Sequence, residues 1–398
     1  RLGTAMNWNA QSSPRATDFS HVIGVGGIGT GTIIELNGDE TLGRTESRMG
    51  RLLDARDYCK LHIVEHYVAI LSGVKGDSSS CRVVAIGNVG RDDAGMGLIR
   101  EMTDAGIDTC YVRVEPRYRT LFSVSFLYPD KSGGNITISN SAAGELDQAQ
   151  LDHCQRELAA AGSRAIALCL PEVPLKARSE FLRIASDSGS YRVASFPAGE
   201  MEAVRSLNLL SRVDLLALNR EEAAALGGAD RGEEEEQVLE AGLRVAAAAN
   251  PGIRLIVSEG PEGLDVFDQG TWSHYDAIPA EVISSAGAGD ALLGGVIAGM
   301  VLGFPLVGTT QENDGRKRNP SAIDLGLLVA AFSLTSPHTI HPGFTLQALQ
   351  EFAFNANHPL VDEQGSRLHA GSAGPGESHA EQADRVGEEH SPQHCRGV

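Results

Sequence analysis

Ser284-Ser285-Ala286-Gly287-Ala288-Gly289-Asp290 is a glycine-rich turn that opens directly into the apolar run Ala291 to Met300. Small residues let the backbone approach a ligand, and the free N–H groups of a helix start point at whatever lies there. The turn therefore has the form of an anion cradle with a carboxylate, Asp290, at its rim. Phosphate repels a carboxylate, so Asp290 suits a base facing a hydroxyl better than a phosphate-binding group. A plain helix N-terminus with an acidic residue in its first turn, favoured by the macrodipole, gives the same pattern. The turn by itself supports both readings.

The uncharged stretch runs on to Thr310, but Pro305 divides it and glycines interrupt it, leaving a helix of about 14 residues, the length of a buried core helix rather than a membrane span. Gly295 and Gly299 have the small-xxx-small spacing of paired membrane helices; the spacing equally fits a helix packed tightly on a sheet.

Upstream, helical and strand patterns alternate. His21 to Gly27 reads as a buried strand ending in a glycine turn, Tyr58 to Leu71 as a helix, Cys81 to Gly87 as a strand and Met96 to Ala105 as an amphipathic helix. Thr120 to Tyr128 and Asn135 to Ser139 alternate about a Pro-Asp-Lys-Ser-Gly-Gly turn, a hairpin expected outside the main sheet. From Leu151, helices separate the strands Ala165 to Leu170, Tyr191 to Phe196, Leu215 to Leu218, Leu255 to Ser258 and Gly263 to Phe267. Helices between apolar strands imply right-handed crossovers, hence a doubly wound, mostly parallel α/β sheet covered on both faces. Residues 1 to 18 are expected to be a disordered leader, and 361 to 398, rich in Gly, Ser, His and Glu, a disordered tail.

With 398 residues, 42% hydrophobic, the chain can bury a large core. Its 33 basic and 52 acidic residues give a net charge of −19, which argues against nucleic acid and anionic membranes as partners and for a small molecule. The six cysteines form no C-x-x-C pair, so they indicate neither a zinc site nor a disulfide framework. Together with a polar, h-region-free Arg1 to Ser20, they lead to the expectation of a cytoplasmic protein.

Gly24-Val25-Gly26-Gly27-Ile28-Gly29 matches the dinucleotide fingerprint G-x-G-x-x-G, which would make the chain an NAD-dependent oxidoreductase. The next segment, Thr30 to Leu36, alternates and is β-branched like a strand, whereas the fingerprint requires a helix there.

Ligands of open α/β sheets collect beyond the C-terminal strand ends. Three segments would meet there: the turn Ala286 to Asp290, Asn219-Arg220-Glu221-Glu222 after the strand Leu215 to Leu218, and Ser258-Glu259-Gly260-Pro261-Glu262-Gly263 after the next strand. These segments resemble the ribokinase-like (PfkB-type) carbohydrate kinase family. Gly287-Ala288-Gly289-Asp290 is identical to the end of its D-T-x-G-A-G-D signature, and Asn219 to Glu222 is similar to its Asn-x-x-Glu motif. Ile256 to Gly263 resembles its nucleotide-side strand and turn, and Asn88 to Gly95 its Val-Gly-x-Asp-x-x-Gly region. The resemblance covers roughly Val22 to Ala356. It implies a kinase domain over about 19 to 360 with a small β lid from about 32 to 46 and 111 to 139.

The resemblance further implies ATP-dependent phosphoryl transfer to a hydroxyl of a sugar or nucleoside, with Asp290 as base and the N–H groups of Ala286, Gly287, Ala288 and Gly289 stabilising the transferring group. Ser258, Gly260, Gly263, Ser285 and Ala286 would lie along the nucleotide, with Asn219. Asn219 and Glu222 would hold Mg2+ through its water shell; an N-cap closed by Glu222 into a capping box accounts for the same two residues. Ser284 and Ser285 replace the family's Asp and Thr, which leaves a monovalent-cation site in doubt. The substrate loops depart further. Where the family has Gly-Gly-x-x-x-Asn, this chain has Asp57-Tyr58-Cys59-Lys60-Leu61-His62, and Lys60, His62 and nearby arginines suggest an acceptor that is itself anionic. Altered loops also fit a catalytically silent sensor on the same fold. A dimer through the lid edges is an expectation from the family.

Overall fold

The strand residues alternate between two apolar faces. Val22, Val83, Ala85, Ile166, Leu168, Val193, Leu215 and Ile256 enter one buried cluster, while Ile23, Val25, Val84, Ile86, Ala167, Leu216 and Val257 enter another. Two-sided burial of β-branched runs demands helices above and below, and the sheet has them. The computed structural model describes residues 19–73, 81–130, 133–229, 234–308 and 319–356. The leader and tail expected at 1–18 and 361–398 lie outside the described residues.

The main sheet has nine strands. From one edge to the other they are Thr271–Tyr275, Leu264–Asp268, Arg254–Ser258, Leu215–Asn219, Tyr191–Ala194, Ala165–Cys169, His21–Val25, Arg82–Gly90 and Asp108–Glu115. All neighbours pair parallel except the first two pairs, where Leu264–Asp268 and Thr271–Tyr275 return as an antiparallel edge. The strand Thr271–Tyr275 is missing from the sequence reading; Thr271 to His274 is exposed or half-exposed and carries no apolar alternation.

A second, smaller sheet is built around Gly29–Leu36, which pairs with Leu121–Leu127 on one side and with Gly50–Leu52 and Asp57–Tyr58 on the other; Gly133–Thr137 closes the far edge. Its limits differ from those expected. The stretch Tyr111 to Glu115 belongs to the main sheet, because the helix Asp93–Asp104 makes a crossover that lays Asp108–Glu115 parallel beside Arg82–Gly90. The first lid strand starts at Gly29, where Gly29 and Gly31 let the backbone run against Leu121 and Ser123: a Cβ on Gly31 would lie 2.2 Å from Ser123 Oγ. It ends at Leu36, and 37–46 holds no strand.

The apolar run is the helix Ala288–Val301, which lies between two other helices and shares a buried cluster with the strands through Leu292, Leu293, Val296 and Ile297. A Cβ on Gly294 would meet Val64 and Tyr67 of Lys60–Leu71, and Gly295 and Gly299 touch Gly326 and Ala322 of Ala322–Ser333. The small-xxx-small spacing is thus a close helix crossing. Among the described residues no helix is long and apolar enough to cross a membrane.

Candidate active site

Asn219 and Ser258 are register partners at the C-terminal ends of neighbouring parallel strands, so the loops beyond them open on the same edge. Asp290, in the first turn of Ala288–Val301, reaches this edge from the facing helix. Lys60, at the first position of Lys60–Leu71, completes the group: its Nζ lies 3.0 Å from Asp290 Oδ1, and both side chains are largely buried. A cavity of ≈ 60 Å³ is lined by Lys60, Asn219, Glu222, Ser258, Gly289 and Asp290. This is far below the roughly 300–1,000 Å³ of a pocket for a whole ligand, and leaves room for a small group or a few waters.

The turn before the helix is shaped by one residue. Gly287 has φ +78°, and a Cβ there would lie 2.8 Å from Thr339 Cβ. Thr339 in turn accepts the Tyr58 N–H at 2.9 Å and donates its own N–H to Arg56 O, so the helix start and the lid strand Asp57–Tyr58 are fastened to one point. Of the four expected anion-facing N–H groups, that of Ala286 is held by Ser284 Oγ and that of Ala288 by Ser285 O. Among the described residues no hydrogen bond falls on Gly287 N or Gly289 N, and nothing stands within 4 Å of the Cβ position of Gly289. The cradle is therefore narrower than the sequence suggests.

Asn219 and Glu222 form a complete capping box on Arg220–Gly227: Asn219 Oδ1 accepts the Glu222 N–H at 2.8 Å and Glu222 Oε2 accepts the Asn219 N–H at 2.9 Å. Both residues still line the cavity, with the Asn219 amide nitrogen and one Glu222 oxygen outside the box. Burial raises the Glu222 carboxyl, and the Lys60 ammonium opposes the rise. The other segment, Ser258 to Gly263, is a tight turn closed by Glu259 N–H to Gly263 O at 2.9 Å. Gly260 and Gly263 have φ of +61° and +103°, and a Cβ on Gly263 would lie 2.1 Å from the Tyr275 carbonyl. Ser285, beside the cradle, is exposed.

The expected substrate side departs from the sequence reading. Lys60 does reach the cavity, but as the ion-pair partner of Asp290, whose charge keeps the ammonium raised. Asp57 is buried on the lid strand, its Oδ2 accepting the hydroxyls of Ser123 and Ser125 at 3.0 Å each, and burial raises its carboxyl. His62 is 1% exposed, its ring 4.7 Å from Tyr58, and burial pushes it down to about 3. It is a neutral packing residue with no charge to offer an anion. Of the nearby arginines Arg44, Arg48, Arg51 and Arg56, three are engaged, Arg48 with Glu46, Arg51 with Glu35 and Arg56 with Glu101, while Arg44 is exposed.

Glu172 is absent from the sequence reading. It lies just past the strand Ala165–Cys169, has φ +73°, and its Oε2 accepts the Lys60 N–H at 3.2 Å while lying against Gly27. Burial lifts its carboxyl to about 7, with Lys60 opposing and Asp290 adding to the rise. An acidic residue just past an apolar strand is a signal the sequence carries, in Leu170-Pro171-Glu172. The glycines of the dinucleotide-like run are packing devices: Gly24 against Glu65 and Leu61, Gly26 against Leu61 and Leu170, Gly27 against Glu172. The strand Gly29–Leu36 stands where that fingerprint needs a helix.

Known proteins share this architecture. Residues 70–344 match the profile of the pfkB family carbohydrate kinase. A fructokinase of Klebsiella pneumoniae is 31% identical over 91 residues, 23% of this chain and 27% of its own length, so the chain aligns with about a quarter of that relative. The fold is that of solved kinases. Ribokinase from Cryptococcus neoformans var. grubii serotype A, in complex with ADP, superposes with a TM-score of 0.65 at 16% identity, covering 83% of this chain and 99% of that one. Arabidopsis thaliana ribokinase complexed with ribose and ATP gives 0.60 at 19%, with 84% and 98% covered. Burkholderia thailandensis nucleoside kinase in complex with inosine gives 0.60 at 17%, also with 84% and 98% covered. With the family profile spanning the cradle and both loops beyond Asn219 and Ser258, the chain belongs to the pfkB family of carbohydrate kinases.

Proposed function

We propose that the chain transfers the γ-phosphoryl group of ATP to a hydroxyl of a neutral sugar or nucleoside, with Asp290 as the base. The observation that carries this reading is the placement of Asp290 in one small cavity with Lys60, Gly289, Asn219 and Ser258. A base must be within reach of the hydroxyl while donors face the moving charge. Asp290 Oδ1 is held by Lys60, so Oδ2 is the oxygen left to take the proton. The N–H groups of Gly287 and Gly289 and the Lys60 ammonium face the transferring group, and the turn Ser258 to Gly263 borders the nucleotide.

The donor set at Asn219 and Glu222 fits magnesium bound through water. Glu222 keeps one oxygen outside the capping box, Asn219 Oδ1 keeps a second lone pair, and Mg2+ needs few direct protein ligands. When bound, the metal supplies positive charge to the phosphates. A neutral acceptor is favoured over a phosphorylated one because Lys60, the cation lining the cavity, is already paired with the Asp290 carboxylate, His62 is buried and neutral, and Arg48, Arg51 and Arg56 are paired elsewhere. Carboxylates accept hydrogen bonds from sugar hydroxyls and repel phosphate. Proteins with the same fold were solved with ribose and with inosine, which supports this substrate class.

The test is ADP release by the purified protein with Mg-ATP and a panel of neutral sugars, phosphorylated sugars and nucleosides. Turnover confined to neutral acceptors is expected. No turnover with any acceptor, while sugar or nucleotide still raises the melting temperature, would return the silent sensor.

The lid also carries exposed apolar side chains, Met49, Leu52, Phe122 and Ile136, on a sheet with open edges, which supports a homodimer through this face in a cytoplasmic protein. Ile136→Asp should then halve the mass seen by light scattering, and an unchanged mass would remove the lid from the interface.

A further inference from the structure

Away from the cavity, the antiparallel edge of the main sheet gathers a second set of ligating groups. Asp265 and His274 are direct cross-strand partners, which puts their side chains on one face. Asp265 is also opposite Val257, and Glu259, just past the end of the strand Arg254–Ser258, stands close enough to Glu235 and Asp265 for both to act on its carboxyl. Onto that face packs the helix Glu235–Ala249, through Val238 and Leu239, bringing Glu235 at its first position down on the other groups. Ligand atoms of Glu235, Asp265 and His274 all lie within 4.8 Å of one another.

Two observations separate this group from an ordinary acidic surface. The Glu259 side chain is 3% exposed and that of Asp265 10%, and each carries a buried oxygen, Glu259 Oε1 and Asp265 Oδ2, with no hydrogen-bond partner. A buried carboxylate oxygen without a donor bears a desolvation cost that nothing in its surroundings offsets. The nearest positive group to Glu259 is Arg220, at 3.8 Å, and His274 meets Asp265 through Nδ1 at 3.2 Å and Asp276 through Nε2 at 3.7 Å. The carboxylates are thus concentrated where compensation is sparse, and one imidazole completes a mixed N/O donor set.

We propose that Glu235, Asp265 and His274, with Glu259 behind them, bind a divalent transition cation of the Zn2+ or Mn2+ class. An imidazole among carboxylates suits these ions, whereas Mg2+ and Ca2+ take oxygen ligands. Bonds of about 2.1 Å in a tetrahedral site set donors about 3.4 Å apart, so the group must draw in. Glu235 and His274, the members open to solvent, are the ones that rotate. The cation joins two edge strands to a helix start and, through Glu259, to the turn Ser258 to Gly263. The site is separate from Asp290 and stands independently of the phosphoryl-transfer reading.

The full chain, stripped with EDTA and returned to metal-free buffer, is titrated calorimetrically with ZnCl2 and with MnCl2 in excess MgCl2. One-to-one binding of at least one of them is expected, weakened at least tenfold by Asp265→Asn and by His274→Ala and unchanged by Glu240→Gln on the exposed side of the same helix. Metal-induced shifts in melting temperature, each measured against the metal-free form of the same variant, keep loss of binding distinct from loss of stability. Absence of one-to-one binding, or less than a tenfold loss in either ligand variant, overturns the site.

Discussion

Lys60 Nζ and Asp290 Oδ1 lie 3.0 Å apart, joining the first turn of one helix to the first turn of another across the floor of the cavity. On the phosphoryl-transfer reading, the pair would hold the base in a fixed orientation and place a cation beside the transferring group. Asp290→Asn should lower kcat by about 10²–10⁴-fold, while Mg-ATP continues to raise the melting temperature. Lys60→Met should cost about 10²-fold through lost electrostatic stabilisation. Because the two act on one step, the double variant should be little worse than Asp290→Asn alone. Fully multiplicative losses in steady-state kinetics would show that Lys60 works elsewhere.

The two cradle glycines have different duties. At Gly287 an alanine would be forced into the left-handed region, a cost of about 1–2 kcal/mol, and its Cβ would press on Thr339 at 2.8 Å. Gly287→Ala should therefore lower the melting temperature measurably. Gly289 has open space at its Cβ position, so Gly289→Ala should melt like the parent and lose activity by crowding the transferring group. Equal melting temperatures for the two variants would contradict the assignment.

Much of this was legible in the residues. The two-faced apolar strands predicted the doubly wound sheet because burial on both faces leaves few other solutions, and Gly287 to Asp290 marked a glycine turn opening into a helix. The lid limits and the substrate side were not legible, for a shared reason: they depend on long-range pairing. Nothing near Asp57 in sequence indicates that Ser123 and Ser125 will meet it, and nothing near Lys60 indicates Asp290, 230 positions away. His62 obeys the same rule in reverse. Its polarity suggested a ligand, whereas the packing of Lys60–Leu71 buries it.

Glu172 gives the stability a pH dependence of definite sign. Its carboxyl is raised from the usual 4.5 to about 7, so across that window the folded chain retains a proton that the unfolded chain has released. Stability then falls as pH rises from about 4.5 to 7, since the folded state binds more protons there. Glu172→Gln should flatten the decline in melting temperature between about pH 5 and about pH 7.5. It should not abolish it, because burial also lifts Glu259 to about 7. A variant whose melting profile keeps the parent's slope would remove Glu172 as its source.

Asn219 poses a choice between a cap and a metal-holding residue, and the capping box makes the choice testable. Aspartate caps a helix about as well as asparagine, whereas alanine at this position costs about 1 kcal/mol. Asn219→Asp should thus keep the melting temperature of the parent, and Asn219→Ala should lower it. If the side chain also holds the water shell of magnesium, Asn219→Asp brings a second carboxylate beside Glu222 and changes the charge the metal meets. The Mg2+ concentration for half-maximal turnover should then shift several-fold in Asn219→Asp while the acceptor KM stays put. A parent-like magnesium dependence in a fully stable Asn219→Asp would confine Asn219 to its cap and leave Glu222 as the metal-side residue.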